Sequence, residues 1–261
     1  MAARARSRIG DANMTFHLPL MGVGAPGGRT YIQKVLSYSP VVYWPLSEAS
    51  GTAADNAEGT AARDAVYDSD VSGWPVTTGN GDGGTAPTFS GDDYTDIYSA
   101  SFNGVFNGQL GSLLIWFCIT SDAVWTDSSN DWLLMISANL TTNYLQFWKS
   151  SAAGNLNCRY VAGSTTKNFG KTGLSGDNNW HSVGFSWSLA ADEGKFYFDG
   201  VQTGATATGL GTWAGSLSSG QCVIGDNYVG AGTMFVGLLA HVAVFSAVLS
   251  STDFVDLAGV A

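Results

Sequence analysis

From residue 39 onward, apolar side chains recur at every second position in short runs, and each run ends in a cluster of Gly, Asn, Asp or Ser. Few architectures accept that pattern. A period of two is the repeat of a strand with one buried face, and clustered turn residues stop each strand after a few positions. Hardly any stretch sustains the 3.6-residue repeat of an amphipathic helix. The 34 glycines and the 12% of charged residues among 261 point the same way. Surface helices are normally dressed with Glu, Lys and Arg and avoid glycine. The expected fold class is all-β, a two-sheet antiparallel sandwich, and 45% hydrophobic residues supply enough material for its core.

Individual strands follow from the alternation. In residues 155–160, Leu156, Cys158 and Tyr160 share one face and Asn155, Asn157 and Arg159 the other. In residues 181–187, His181, Val183, Phe185 and Trp187 oppose Ser182, Gly184 and Ser186. Residues 195–198 run into Asp199-Gly200, a dipeptide suited to the positive φ angles of a tight hairpin. Residues 113–119 and 234–245 are apolar on both faces, so both belong in mid-sheet, the second bent near Gly237. One late helix is expected, capped by Ser250 with Asp253 in its first turn and Phe254 and Leu257 on its apolar edge.

Charge divides the chain. Residues 1–34 carry +4 and the remainder −14, within a net charge of −10. An acidic body repels phosphate backbones and anionic lipid, so neither a nucleic acid nor membrane insertion is expected. No apolar stretch approaches the ~18 residues that span a bilayer. The first apolar stretch is broken by Pro19, Gly22, Gly24 and Pro26, which argues against a cleaved signal. Residues 1–36 read as an N-terminal docking arm, with Tyr31–Leu36 a short helix or turn leading into a single domain over residues 37–261. The arm combines Arg4, Arg6 and Arg8 with Phe16, Leu18, Leu20 and Met21, too few apolar residues for a core of its own. Such a segment gains burial on a neighbour's sheet edge or groove.

The three cysteines, Cys118, Cys158 and Cys222, sit in apolar strands and read as buried thiols. His181 shares a face with Val183, Phe185 and Trp187, which suits a hydrogen-bonded core residue better than a general base. No strand-turn-helix serine elbow is present.

Four segments in order then resemble laminin-G-like, concanavalin A-like jelly-roll domains. Ser39-Pro40-Val41-Val42-Tyr43-Trp44-Pro45-Leu46 through Gly51 resembles the opening strand and turn, and Trp180-His181-Ser182-Val183 the tryptophan-histidine strand. Residues 195–200 resemble the strand ending in Asp-Gly, and Val223-Ile224-Gly225 through Leu249-Ser250 the closing strand and helix. The chain departs from the family at Ala240-His241, where an acidic residue is frequent.

The resemblance implies a concanavalin A-like jelly roll and leaves the ligand open, because this fold hosts lectins, hydrolases and adhesive modules. Glucanases of the fold set two glutamates and an aspartate on one strand. Here Glu48, Glu58 and Glu193 all stand in turn-like contexts, so no enzyme is expected and a glucan hydrolase is the least favoured alternative. The candidate cofactor is a calcium ion, held by Asp92, Asp93, Asp96 and Asp226. Glycan contacts of such modules use aromatic faces framed by polar side chains. Trp125, Trp213, Tyr228 and Asn227 are the candidates, and Trp74 sits in a similar polar stretch.

A docking arm ahead of a lectin-like sandwich resembles bacteriophage virion proteins of capsids or tails. Expected partners are therefore other virion proteins, further copies of the chain and a cell-surface glycan, with the protein on the virion surface or extracellular. The alternative is a free-standing carbohydrate-binding module.

Overall fold

A computed structural model describes residues 29–69, 76–79, 81–232 and 234–259. The docking candidates Arg4, Arg6, Arg8, Phe16, Leu18, Leu20 and Met21, and also Trp74, lie outside the described residues.

Helix α1 (Tyr31–Leu36) leads to β1 (Val42–Trp44), β2 (Ala53–Ala54), β3 (Ala65–Tyr67), β4 (Val76–Thr78), β5 (Thr85–Ser90) and β6 (Thr95–Asp96). Helix α2 (Ala100–Val105) precedes β7 (Leu110–Cys118), and α3 (Asp122–Thr126) precedes β8 (Asp131–Asn139). The chain continues through β9 (Asn143–Lys149), β10 (Leu156–Ala162), β11 (Thr165–Lys171), β12 (His181–Ser188), β13 (Glu193–Phe198) and β14 (Val201–Gln202). It closes with β15 (Cys222–Ile224), β16 (Val236–Phe245) and α4 (Ser251–Ala258).

The strands make two antiparallel eight-stranded sheets. The first runs β14-β13-β12-β7-β16-β5-β4, with β1 also on β16, and the second runs β11-β10-β9-β8-β15-β6-β3-β2. The expected fold is therefore the one formed. β7, apolar on both faces, lies between β12 and β16 as its pattern requires. β16 serves two neighbours in turn: residues 236–238 pair with β5 and residues 242–244 with β1. Between them the register shifts at residues 240–243, where His241 has φ 52°, and Gly237 just before takes φ 147°.

One core fills the space between the sheets, with Leu113, Ile115, Phe147, Tyr160, Phe185 and Trp187 almost fully buried. A second covers the outside of the first sheet, where Tyr31, Val35, Phe254 and Leu257 of α1 and α4 pack on Leu114, Trp116 and Tyr197. Each such side chain contributes roughly 1.5–3 kcal/mol by leaving water. Both helices start with reciprocal side-chain caps, Thr30 with Gln33 and Ser250 with Asp253.

The last six residues assigned to a docking arm instead belong to the sandwich. The Tyr31 hydroxyl donates to the Leu257 carbonyl at 2.5 Å and accepts from Trp116 Nε1 at 2.6 Å. Val35 is fully buried. A ring this well enclosed needs its hydroxyl paired, and the chain's own residues supply the partners. The outside of the second sheet carries no described helix, and its middle strands are left with polar and aromatic side chains.

Candidate functional site

β9 sets the pattern of that outer face. Leu145 and Phe147 point into the core, so Tyr144, Gln146 and Trp148 face outward. Registered pairing extends the face on both sides: Trp132 of β8 lies opposite Trp148, and Met135 opposite Gln146. On β10, Asn157 lies opposite Trp148 and Arg159 opposite Gln146, and β11 then places Asn168 opposite Arg159. The result is a band of two indoles, three primary amides and a guanidinium crossing four strands.

The band is tied together internally. Trp132 Nε1 donates to Gln146 Oε1 at 3.1 Å, Arg159 Nε donates to Asn168 Oδ1 at 2.8 Å, and the Arg159 guanidinium sits 5.1 Å from the centre of the Trp148 ring. These contacts hold planar groups in fixed orientation on a rigid sheet, which lowers the entropy lost when a ligand binds. Both tryptophans remain partly exposed. At the β11 edge the band runs into a pocket of about 530 Å³ lined by Asn157, Asn168, Phe169, Gly170, Thr203 and Thr206. That volume is within the usual range for small-ligand sites. The lining is hydroxyl, amide and one aromatic ring, with no ionised group.

The tryptophans chosen from the sequence are elsewhere. Trp125 is 2% exposed, on α3, with its ring edge-on to Phe117. Trp213 is 6% exposed and packs beside Phe106 and Tyr160. Both close the sandwich core, a correction to their reading as contact surfaces. The reason is local: a Cβ at Gly108 would stand 2.1 Å from the Trp213 ring, so glycine there makes a flat seat for the indole. Trp213 still borders a smaller pocket of about 220 Å³ with Asn103, Asn107 and Gln109. Tyr228 is 41% exposed and Asn227 partly so, on the loop after β15.

Three of the four aspartates considered for calcium accept hydrogen bonds from the backbone. Asp93 accepts from Ser90 N at 2.8 Å, Asp96 from Tyr98 N at 2.9 Å, and Asp226 from Asn227 N at 2.6 Å and Ala231 N at 2.9 Å. Asp92 is exposed. Among the described residues, no three His, Cys, Asp or Glu side chains come together to hold a metal.

The glutamates are dispersed. Glu48 accepts from the Tyr67 hydroxyl at 2.7 Å, Glu58 pairs with Arg63 at 3.1 Å, and Glu193 pairs with Lys195 at 2.6 Å. His181 is gripped by Asp199 at 2.7 Å and Asp177 at 3.3 Å. The Asp199 hydrogen bond raises its pKa above the ordinary value, against burial, which works the other way. The second strand histidine, His241, joins Asp82 at 2.9 Å to the Tyr43 hydroxyl at 2.7 Å in the interior. Burial would raise the Asp82 pKa, but the His241 contact and the Gly84 N–H outweigh it and hold the carboxyl below its usual value. The three thiols are buried and free, and burial lifts Cys118 to about 11 and Cys222 to about 12.

Half of the band was visible in the sequence, as the polar face Asn157 and Arg159 of β10. Trp132 and Trp148 were missed because their strands are hydrophobic on both faces. The signal available was the parity of Tyr144, Gln146 and Trp148 against Leu145 and Phe147.

Comparison with known proteins places the architecture. The profile of the concanavalin A-like lectin/glucanases superfamily matches residues 89–253. Domain 4 of an extracellular arabinanase of glycoside hydrolase family 43 from Geobacillus stearothermophilus, solved with arabinotriose, superposes with TM-score 0.61 at 14% identity. That match covers 84% of this chain and 98% of that one. The receptor-binding domain of botulinum neurotoxin mosaic serotype C/D gives TM-score 0.61 at 13% identity, covering 85% of this chain and 51% of that one. A carbohydrate-binding module of family 40 from a Ruminococcus gnavus sialidase gives 0.52 at 14%, covering 67% and 96%. No curated protein matches the sequence.

Proposed function

The chain belongs to the concanavalin A-like lectin/glucanases superfamily, and from that premise we propose that it is a non-enzymatic carbohydrate-binding module. The sugar chain lies across β8–β11, along Trp132, Trp148, Arg159 and Asn168, and one end occupies the pocket beside β11.

One observation carries the reading: two part-exposed indoles and a set of planar amides are fixed on the side of the second sheet that carries no described helix. An indole face offers broad apolar area to the C–H side of a sugar ring, while Asn and Gln both donate and accept toward its hydroxyls. Neighbouring folds support the reading, since the arabinanase domain was solved with arabinotriose and the sialidase domain is itself a carbohydrate-binding module. The absence of a glutamate from this band favours binding over hydrolysis.

Binding rests on direct contacts of this band and needs no calcium. The test is a glycan array followed by calorimetry on the strongest hit, with and without chelator. Trp148→Ala should weaken the hit by about 2 kcal/mol, roughly 30-fold, as for a central aromatic anchor. Unchanged affinity in that variant would move the site elsewhere, and loss of binding on chelation would restore a metal to the reading.

The charge contrast between residues 1–34 and the rest supports a further element. We carry residues 1–30 as the tether that attaches this module to a larger particle, a phage capsid or tail, in several copies.

A further inference from the structure

The four strands that build the binding face invert the charge of the molecule. Outside residues 1–34 the chain carries −14. Yet β8, β9, β10 and β11 contain one carboxylate, Asp131, against four cations, Lys149, Arg159, Lys167 and Lys171. Asp131 is spent on Lys149, which lies 3.0 Å away and is fully buried. Neither faces the band.

Arg159 does. Its backbone stands between Gln146 and Asn168, its Nε is held by Asn168, and its guanidinium lies over the Trp148 ring. Lys34, Arg63, Lys149 and Lys195 each have a carboxylate within ion-pair distance. Arg159 has none among the described residues. A guanidinium without a counter-ion, on an otherwise uncharged band, is oriented by one amide and one ring and retains the N–H groups at its far end. That fork matches the two oxygens of a carboxylate or a sulfate. Stacking on Trp148 places it at the rim of a sugar ring lying on the band, where an acidic substituent projects.

The geometry points to an acidic glycan as the ligand: a chain bearing a carboxylate or sulfate that Arg159 engages while neutral rings rest on Trp132 and Trp148 and in the Asn157–Thr203 pocket. The inference deepens the carbohydrate-binding reading and rests on it. An acidic protein would otherwise repel such a chain, so selectivity depends on this one local charge. Because the contact is close and only partly exposed, salt weakens it without abolishing it.

The experiment is a glycan array printed with uronate-bearing, sialylated and sulfated glycans beside their neutral parents, probed with the full chain, Arg159→Gln and Arg159→Lys. The expected result for the full chain is at least about tenfold preference for acidic members of matched pairs, in line with a charge-assisted pair. Arg159→Gln should bring the acidic and neutral members of each matched pair to equal signal, with an unchanged melting midpoint. Arg159→Lys should keep part of the preference, because a point charge replaces the fork. Carboxylated against sulfated hits identify the source of the anion. Binding to neutral and acidic members alike, or a preference that survives in Arg159→Gln, overturns the inference and leaves the carbohydrate reading standing. No binding to any glycan overturns both.

Discussion

His181 shows how a single side chain links strand ends through charge. The ring stands at the start of β12, sandwiched by Phe117 and Phe198 and bonded to Asp199 of the β13–β14 turn and to Asp177. The Asp199 hydrogen bond foremost raises the folded-state pKa above the ordinary histidine value. Stabilisation from the charged ring is therefore complete below the unfolded value of about 6.5 and is lost as pH climbs through the raised one. The urea midpoint should fall across that window, and Asp199→Asn should flatten the fall. An NMR titration reads the same quantity directly: His181 titrating at or below the ordinary value would remove this pH dependence. The contact was only half legible in the sequence. Alternation put His181 with Val183 and Phe185, and nothing in a local pattern shows a partner 18 positions away.

Elements in this sandwich are positioned as much by missing side chains as by present ones. α4 lies on the first sheet because Gly184, on the outward face of β12, leaves room for Phe254. A Cβ there would meet the Phe254 ring at 2.2 Å, and that ring already stacks on Tyr197 at 4.1 Å. Gly184→Ala must push α4 outward or rotate Phe254, and overpacking of this kind costs about 1–3 kcal/mol. Gly104, inside α2, is the contrast. Nothing stands within 4 Å of its Cβ position, so Gly104→Ala should stabilise by about 0.5–1 kcal/mol through helix propensity. Urea denaturation of the pair checks both signs, and equal effects would show that the seat under α4 is not tight. The same physics explains why strands were read correctly and two tryptophans were not. Alternation is a property of a strand itself, as in Leu156, Cys158 and Tyr160. The burial of Trp213 depends on Gly108, more than a hundred residues earlier.

For the whole molecule, charge divides sharply between residues 1–34 and the rest. Among the described residues, both apolar cores are drawn from residues 31–257. Deletion of residues 1–28 removes Arg4, Arg6, Arg8 and Asp11, making an already acidic protein two charges more negative. Were those arginines serving as counter-ions to the body, the truncated chain would melt earlier at low salt and recover as salt screened the repulsion. A tether to another polypeptide gives the opposite pattern. The melting midpoint of the truncated chain should match that of the full chain within about 2 °C at both low and high salt, since ~1 kcal/mol moves a domain of this size by 2–4 °C. Glycan binding should persist, because Trp132, Trp148 and Arg159 all stand on β8–β10. Co-purification with assembled particles should be lost. Co-purification without residues 1–28 would end the tether reading, whereas a salt-dependent fall in stability would assign those residues to the body.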